Sequence, residues 1–155
     1  MKLFFTFLLL ALSSRAFSTE AAAVTAVTFE KRNIKLVYAG VTTKIRVEIA
    51  QSEGQLTRGL MFRKSIKDNE GMLFEFASEE PRTFWMKNTF VALSIGFFDA
   101  NKKLIDIQNM KPVASEMDAN PPTYSSAGPA QYALEVPQGW FAKKKIKVGA
   151  ILSDK

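Results

Sequence analysis

The run Arg82-Thr83-Phe84-Trp85-Met86-Lys87-Asn88-Thr89 sets two aromatic residues and a methionine between two cations. In an extended strand, alternate side chains point to opposite faces, so Phe84 and Met86 share one face and Thr83, Trp85 and Lys87 the other. The first face is apolar. The second can stack its indole on a sugar or other ring while the Lys87 ammonium and the Asn88 amide hydrogen-bond hydroxyls or an anion. The same pattern also suits packing, with Trp85 closing the second side of a β layer and Lys87 carrying its charge past it to water. Arg58 and Arg63 flank Gly59-Leu60-Met61-Phe62, and a guanidinium in that setting can grip a carboxylate or phosphate through paired hydrogen bonds. Either arginine can instead neutralise a carboxylate of the chain itself. Glu135 is the example, because it stands inside the apolar Leu134-Glu135-Val136 and needs solvent or a partner there. The candidate ligand-binding residues are therefore Arg58, Arg63, Trp85, Lys87 and Asn88.

Catalytic parts are scarce. The chain has no histidine and no cysteine, which removes the imidazole base, the thiolate nucleophile and zinc sites made of those residues. Asp99, Asp106, Glu116, Asp118 and Glu135 remain as candidates for a carboxylate pair of the glycosidase kind, but no spacing selects two of them. Ser125-Ser126 lacks the G-x-S-x-G context of a serine hydrolase, and no run resembles an oxygen-ligand calcium loop. The expectation is no metal, no cofactor and no assigned catalytic residue. Lys143-Lys144-Lys145-Ile146-Lys147 is a basic cluster, suited to a solvated face or to contact with anionic lipid or polymer.

These residues must be held by short elements. Ile34, Leu36 and Tyr38, then Ile45, Val47 and Ile49, alternate as half-buried strands do, and Ala39-Gly40-Val41-Thr42-Thr43 between them predicts an antiparallel hairpin. Ser52 with Gln55 three residues on is a capping box, and Leu56, Gly59 and Leu60 follow at helical spacing, predicting one short helix over about 52–60. Met72 to Phe76, Thr83 to Met86, Leu93 to Asp99, Lys103 to Asn109 and Gln131 to Val136 are rich in β-branched, aromatic and aliphatic residues, as strands are. The turn Asp99-Ala100-Asn101-Lys102 predicts a second hairpin. Ala119 to Pro129 reads as a long irregular loop. The fold class expected is mainly β, a single small antiparallel sandwich or barrel-like domain with one short helix.

The N-terminus predicts export. Met1-Lys2 is a short basic start, Leu3 to Leu12 an apolar run with one threonine, and Ser14-Arg15-Ala16 a small-x-small cleavage site, with Ala21-Ala22-Ala23 as a competing one. The apolar run is about half the length that a spanning helix needs, so no membrane span is expected. The organisation is a signal peptide over 1–16, a flexible Ala/Thr/Ser-rich tether over 17–28 and a β-rich domain over 29–155. Of 155 residues, 139 then remain, enough for one core without disulfides. Loss of Lys2 and Arg15 lowers the excess charge of +6 only to +4, and an exported protein of that charge is not expected to bind nucleic acid.

Four motifs in order carry a resemblance: Arg58-Gly59-Leu60-Met61-Phe62-Arg63, Gly71-Met72-Leu73-Phe74, Phe84-Trp85-Met86-Lys87-Asn88-Thr89, and Tyr132-Ala133-Leu134-Glu135-Val136 with Gly139 beyond. Their order and spacing, from roughly Val47 to Leu152, resemble the bacterial and archaeal family called domain of unknown function 192. The resemblance implies a compact, mostly β fold with a small helix before the Gly-Leu-Met motif, and it implies no activity. Two carboxylates common in such proteins are missing, since this chain has Leu93-Ser94-Ile95 and Gly149-Ala150 at those places. The functional expectation is a periplasmic or secreted binding or accessory module whose partner is an envelope glycan or another envelope protein. A carboxylate-dependent hydrolase acting on a polysaccharide is the first alternative. A structural or interaction protein is the second.

Overall fold

The computed structural model describes residues 27–153, so the expected signal peptide and nearly all of the expected tether lie outside the described residues. One seven-stranded sheet dominates: β1 (Glu30–Tyr38), β2 (Val41–Ala50), β3 (Glu70–Trp85), β4 (Leu93–Phe98), β5 (Leu104–Met110), β6 (Thr123–Pro137) and β7 (Ile151–Ser153), in the spatial order β5-β4-β6-β3-β2-β1-β7. It curls into a half-barrel, and a bridge between Lys103 and Ile151 ties the start of β5 to the far edge. The expected antiparallel sandwich is corrected on this point. Every pairing is antiparallel except β2 with β3, which run parallel from Arg46↔Glu70 to Ala50↔Phe74. Parallel neighbours need a crossover, and here α1 (Glu53–Arg58) and the loop to Asn69 supply it.

Local signals act as expected where they are short-range. Ala39 and Gly40 both have positive φ, 48° and 76°, in the two-residue turn that joins β1 to β2, the backbone twist that tight hairpins require. Ser52 caps α1, and its side chain and that of Gln55 satisfy each other's backbone N–H groups. The Asp99–Lys102 turn closes with a 3.0 Å hydrogen bond from the Lys102 N–H to the Asp99 carbonyl, and β4 and β5 pair beyond it. Three further expectations change. The expected strands Met72 to Phe76 and Thr83 to Met86 merge into one long strand, β3, which ends at Trp85 with Met86 just beyond it. The expected loop Ala119–Pro129 becomes part of β6 from Thr123 onwards. A second helix, α2 (Trp140–Lys143), follows β6.

Alternation along the strands sends apolar residues to both faces of the sheet. Ile34, Leu36, Val47, Leu73, Phe98, Leu134, Val136, Trp140 and Phe141 form one compartment. Met72, Phe74, Met86, Ile95, Phe97, Met110, Ala133 and Leu60 form the other. β4 is buried along its whole length, Leu93, Ile95 and Phe97 facing one compartment and Phe98 the other. Close packing demands glycine at Gly96, where a Cβ would lie 2.6 Å from the Phe141 ring.

Candidate functional site

The site is assembled by two loops that lock together. α1 ends at Gly59 (φ 46°), and the chain then turns through Phe62 (φ 63°). The Phe62 N–H donates to the Asn88 carbonyl at 2.7 Å. Asn88 itself has φ 53°, a conformation that asparagine tolerates better than most residues. Asn88 thus serves through its backbone, joining the Gly-Leu-Met loop to the turn after β3. Thr89 is buried, its hydroxyl donating to the Lys87 carbonyl at 3.1 Å and its own carbonyl accepting the Val113 N–H.

Beneath this junction lies a narrow pocket of about 30 Å³ lined by Arg58, Leu60, Phe74, Phe84, Trp85, Thr89 and Glu135. Its volume suits one or two waters or the tip of a polar group. Glu135 projects from β6 on the Met72 and Ile95 side, opposite both residues in the strand register. Only 5% of Glu135 is exposed, and its carboxyl makes no hydrogen bond or ion pair among the described residues. Burial in this apolar setting pushes the carboxyl up to about 8, against the pull of the Arg63 charge. At neutral pH the group is mostly a neutral acid, able both to donate and to accept a hydrogen bond.

Trp85 forms the pocket's outer wall. It is 47% exposed, whereas Phe84 packs edge-to-face on Phe74 and Phe97 at ring separations of 4.9 and 5.7 Å, and Met86 is fully buried. The expected division of faces holds through the end of β3. On its far side Trp85 lines an open cleft of about 580 Å³ with Lys87, Glu116, Asp118, Asn120 and Thr123. The Lys87 Nζ lies 5.1 Å from the indole centre, within cation–π range.

The two other candidate cations are held by different contacts. Arg58 reaches the pocket rim with its guanidinium 4.7 Å over the Phe62 ring. Arg63 pairs with Glu48 rather than with Glu135, which corrects the partner suggested by the sequence. Arg82, the first residue of the motif, braces the irregular middle of β3 by donating to the Ala130 carbonyl and covering the Phe76 ring at 4.1 Å. Of the other carboxylates, Asp99 caps its own turn by accepting the Lys103 N–H, and Asp106 accepts from Gln108 and the Ala127 N–H. Glu116 and Asp118 are carboxylate candidates in the sequence and Thr89 ends the aromatic motif, but no local signal brings the 116–120 segment beside Trp85. The signal for Glu135 is present in the sequence as a charge within an apolar strand, which leaves solvent, an ion-pair partner and a carboxylate-pair role open.

No curated protein matches the chain. A crystal structure from Sinorhizobium meliloti 1021, described as a candidate transcription regulator, is similar at 31% identity and a TM-score of 0.75, covering 83% of this chain and 96% of that one. A protein of unknown function from Novosphingobium aromaticivorans DSM 12444 is similar at 27% identity and a TM-score of 0.71, over 84% of this chain and 89% of that one. The family model described as Uncharacterized ACR, DUF192, matches residues 34–153, and the chain belongs to that family.

Proposed function

We propose that this chain is an exported binding module that recognises a polyhydroxylated envelope component such as a glycan. The observation that carries the reading is the half-exposed Trp85, which is at once the wall of the Glu135 pocket and of the open cleft. An indole in that position offers a stacking face to a sugar ring. Lys87, Asn120 and Asp118 beside it offer donors and acceptors to hydroxyls. The narrow pocket admits one hydroxyl-sized group to the neutral acid of Glu135. The basic, apolar and small-residue start of the sequence supports export.

Retention on isolated cell-wall polysaccharide at low salt tests this. Wild-type protein is expected to be retained, and Trp85→Ala and Lys87→Met to lose retention. Lys87→Met should keep its melting temperature within a few degrees, since an exposed charge contributes about 0 to 1 kcal/mol. Absence of wild-type retention on every envelope fraction rejects the proposal.

One observation favours a second reading, a carboxylate-dependent hydrolase. A buried carboxyl raised to about 8 can protonate a leaving oxygen as a general acid. Release of reducing sugar from a polysaccharide by wild-type protein and not by Glu135→Gln would establish it over simple binding.

A further inference from the structure

A separate cavity lies away from the Trp85 site, between the β1–β2 turn, the face of β5 and the segment that follows α2. It measures about 760 Å³, within the roughly 300 to 1,000 Å³ usual for small-molecule sites. Tyr38, Val41, Ile107, Phe141 and Ile146 make its wall predominantly apolar. Val41 is 64% exposed, a large uncovered surface for a valine beside a concave opening.

The rim is charged with one sign. Lys144, Lys145 and Lys147 line the cavity, and among the described residues no aspartate or glutamate does. The neighbouring Lys143 is already committed, paired with Asp68, whose carboxyl that pairing holds below its ordinary value. Lys145 and Lys147 form no ion pair among the described residues. Both line an apolar recess, where a desolvated anion gains more from a nearby ammonium group than it would in open water. A neutral apolar ligand would leave these charges unused, and a cationic one would meet repulsion from all three lysines.

We propose that this cavity binds a single-chain anionic amphiphile of the fatty-acid class, its acyl chain against Tyr38, Val41, Ile107 and Phe141 and its carboxylate at Lys145 and Lys147. Lys145 and Lys147 of the basic cluster thereby have a specific task as the head-group clamp of an apolar site. This binding is independent of the Trp85 face, so failure of glycan retention leaves it standing.

Calorimetric titration with dodecanoate, held below its micellar concentration, tests the assignment. Saturable one-to-one binding is expected, with dodecanol at least about tenfold weaker, the difference that one charge-assisted contact supplies. Dodecyltrimethylammonium should not bind. Lys145→Gln combined with Lys147→Gln should weaken dodecanoate by about tenfold or more and leave dodecanol unchanged. Ala142→Trp, which places bulk on an exposed lining position of α2, should abolish binding of both while Lys87→Met has no effect on either. The proposal is overturned by absence of dodecanoate binding in the wild type, by equal binding of the cationic probe, or by undiminished binding in the double lysine variant. Capture on anionic vesicles without uptake of monomeric dodecanoate would likewise overturn it in favour of surface adsorption.

Discussion

The two apolar compartments of this molecule differ in one residue type. Among the described residues, the compartment built on Leu36, Leu73, Phe98, Leu134 and Trp140 buries no charged side chain, and its unpartnered buried polar atom is the neutral indole Nε1 of Trp140. Its counterpart, built on Met72, Phe74, Ile95 and Phe97, lies on the side of the sheet to which Glu135 projects. Burying a carboxyl without a partner costs stability that an alanine or leucine would not. Stability alone therefore does not account for Glu135, and the first compartment shows that the same sheet packs well without such a group. The candidate site lies where the fold encloses its buried carboxyl, a group that can titrate as the indole N–H of Trp140 in the other compartment cannot.

The contrast can be tested most severely with adjacent residues of β4 that face opposite ways. Phe97→Ala and Phe98→Ala should each cost about 3 to 5 kcal/mol in denaturant melts, since both rings are fully buried. Where the Phe97 variant stays folded it should also lose glycan retention, because Phe97 supports Phe84 in the pocket wall. The Phe98 variant should retain it. Equal loss in both would dissolve the distinction between the compartments.

The second test is the pH dependence of stability. The folded carboxyl near 8 lies above its ordinary 4.5, so between these values the folded protein holds a proton that the unfolded chain releases. Its contribution is fully present below about pH 4.5 and is lost as pH rises towards 8. Glu135→Gln cannot titrate. It should flatten the fall in melting temperature across that window and be more stable than the wild type at pH 8 by about 1 to 4 kcal/mol. Superimposable profiles for the two proteins would mean that the carboxyl is solvated or paired.

The smallest expected effect comes where the two faces meet. A Cβ on Gly71 would lie 2.6 Å from the Glu135 carbonyl oxygen and 3.1 Å from Val136. Gly71→Ala should cost about 1 to 3 kcal/mol by overpacking and shift the midpoint of the pH-dependent fall by displacing β6 at Glu135. A cost without any shift would show that the pocket is insulated from the opposite face.

What the sequence determined by itself was local. The Ala39-Gly40 hairpin, the Ser52–Gln55 cap, the Asp99 turn and the division of Phe84 and Met86 from Trp85 all depend on residues a few positions apart, where period-two alternation and side-chain to backbone hydrogen bonds act directly. The four motifs were legible as well, though not their convergence. Only the tertiary structure decided that β2 and β3 lie parallel, because a strand's own pattern does not name its neighbour. Only it decided that Arg63 goes to Glu48 and leaves Glu135 without a partner among the described residues, and that Trp85 stands half in water as the wall of two clefts. Those outcomes depend on which of several distant charges and surfaces the curled sheet brings within reach, and a Coulombic or packing contact between residues 15 or more positions apart has no signature in the residues that flank either one.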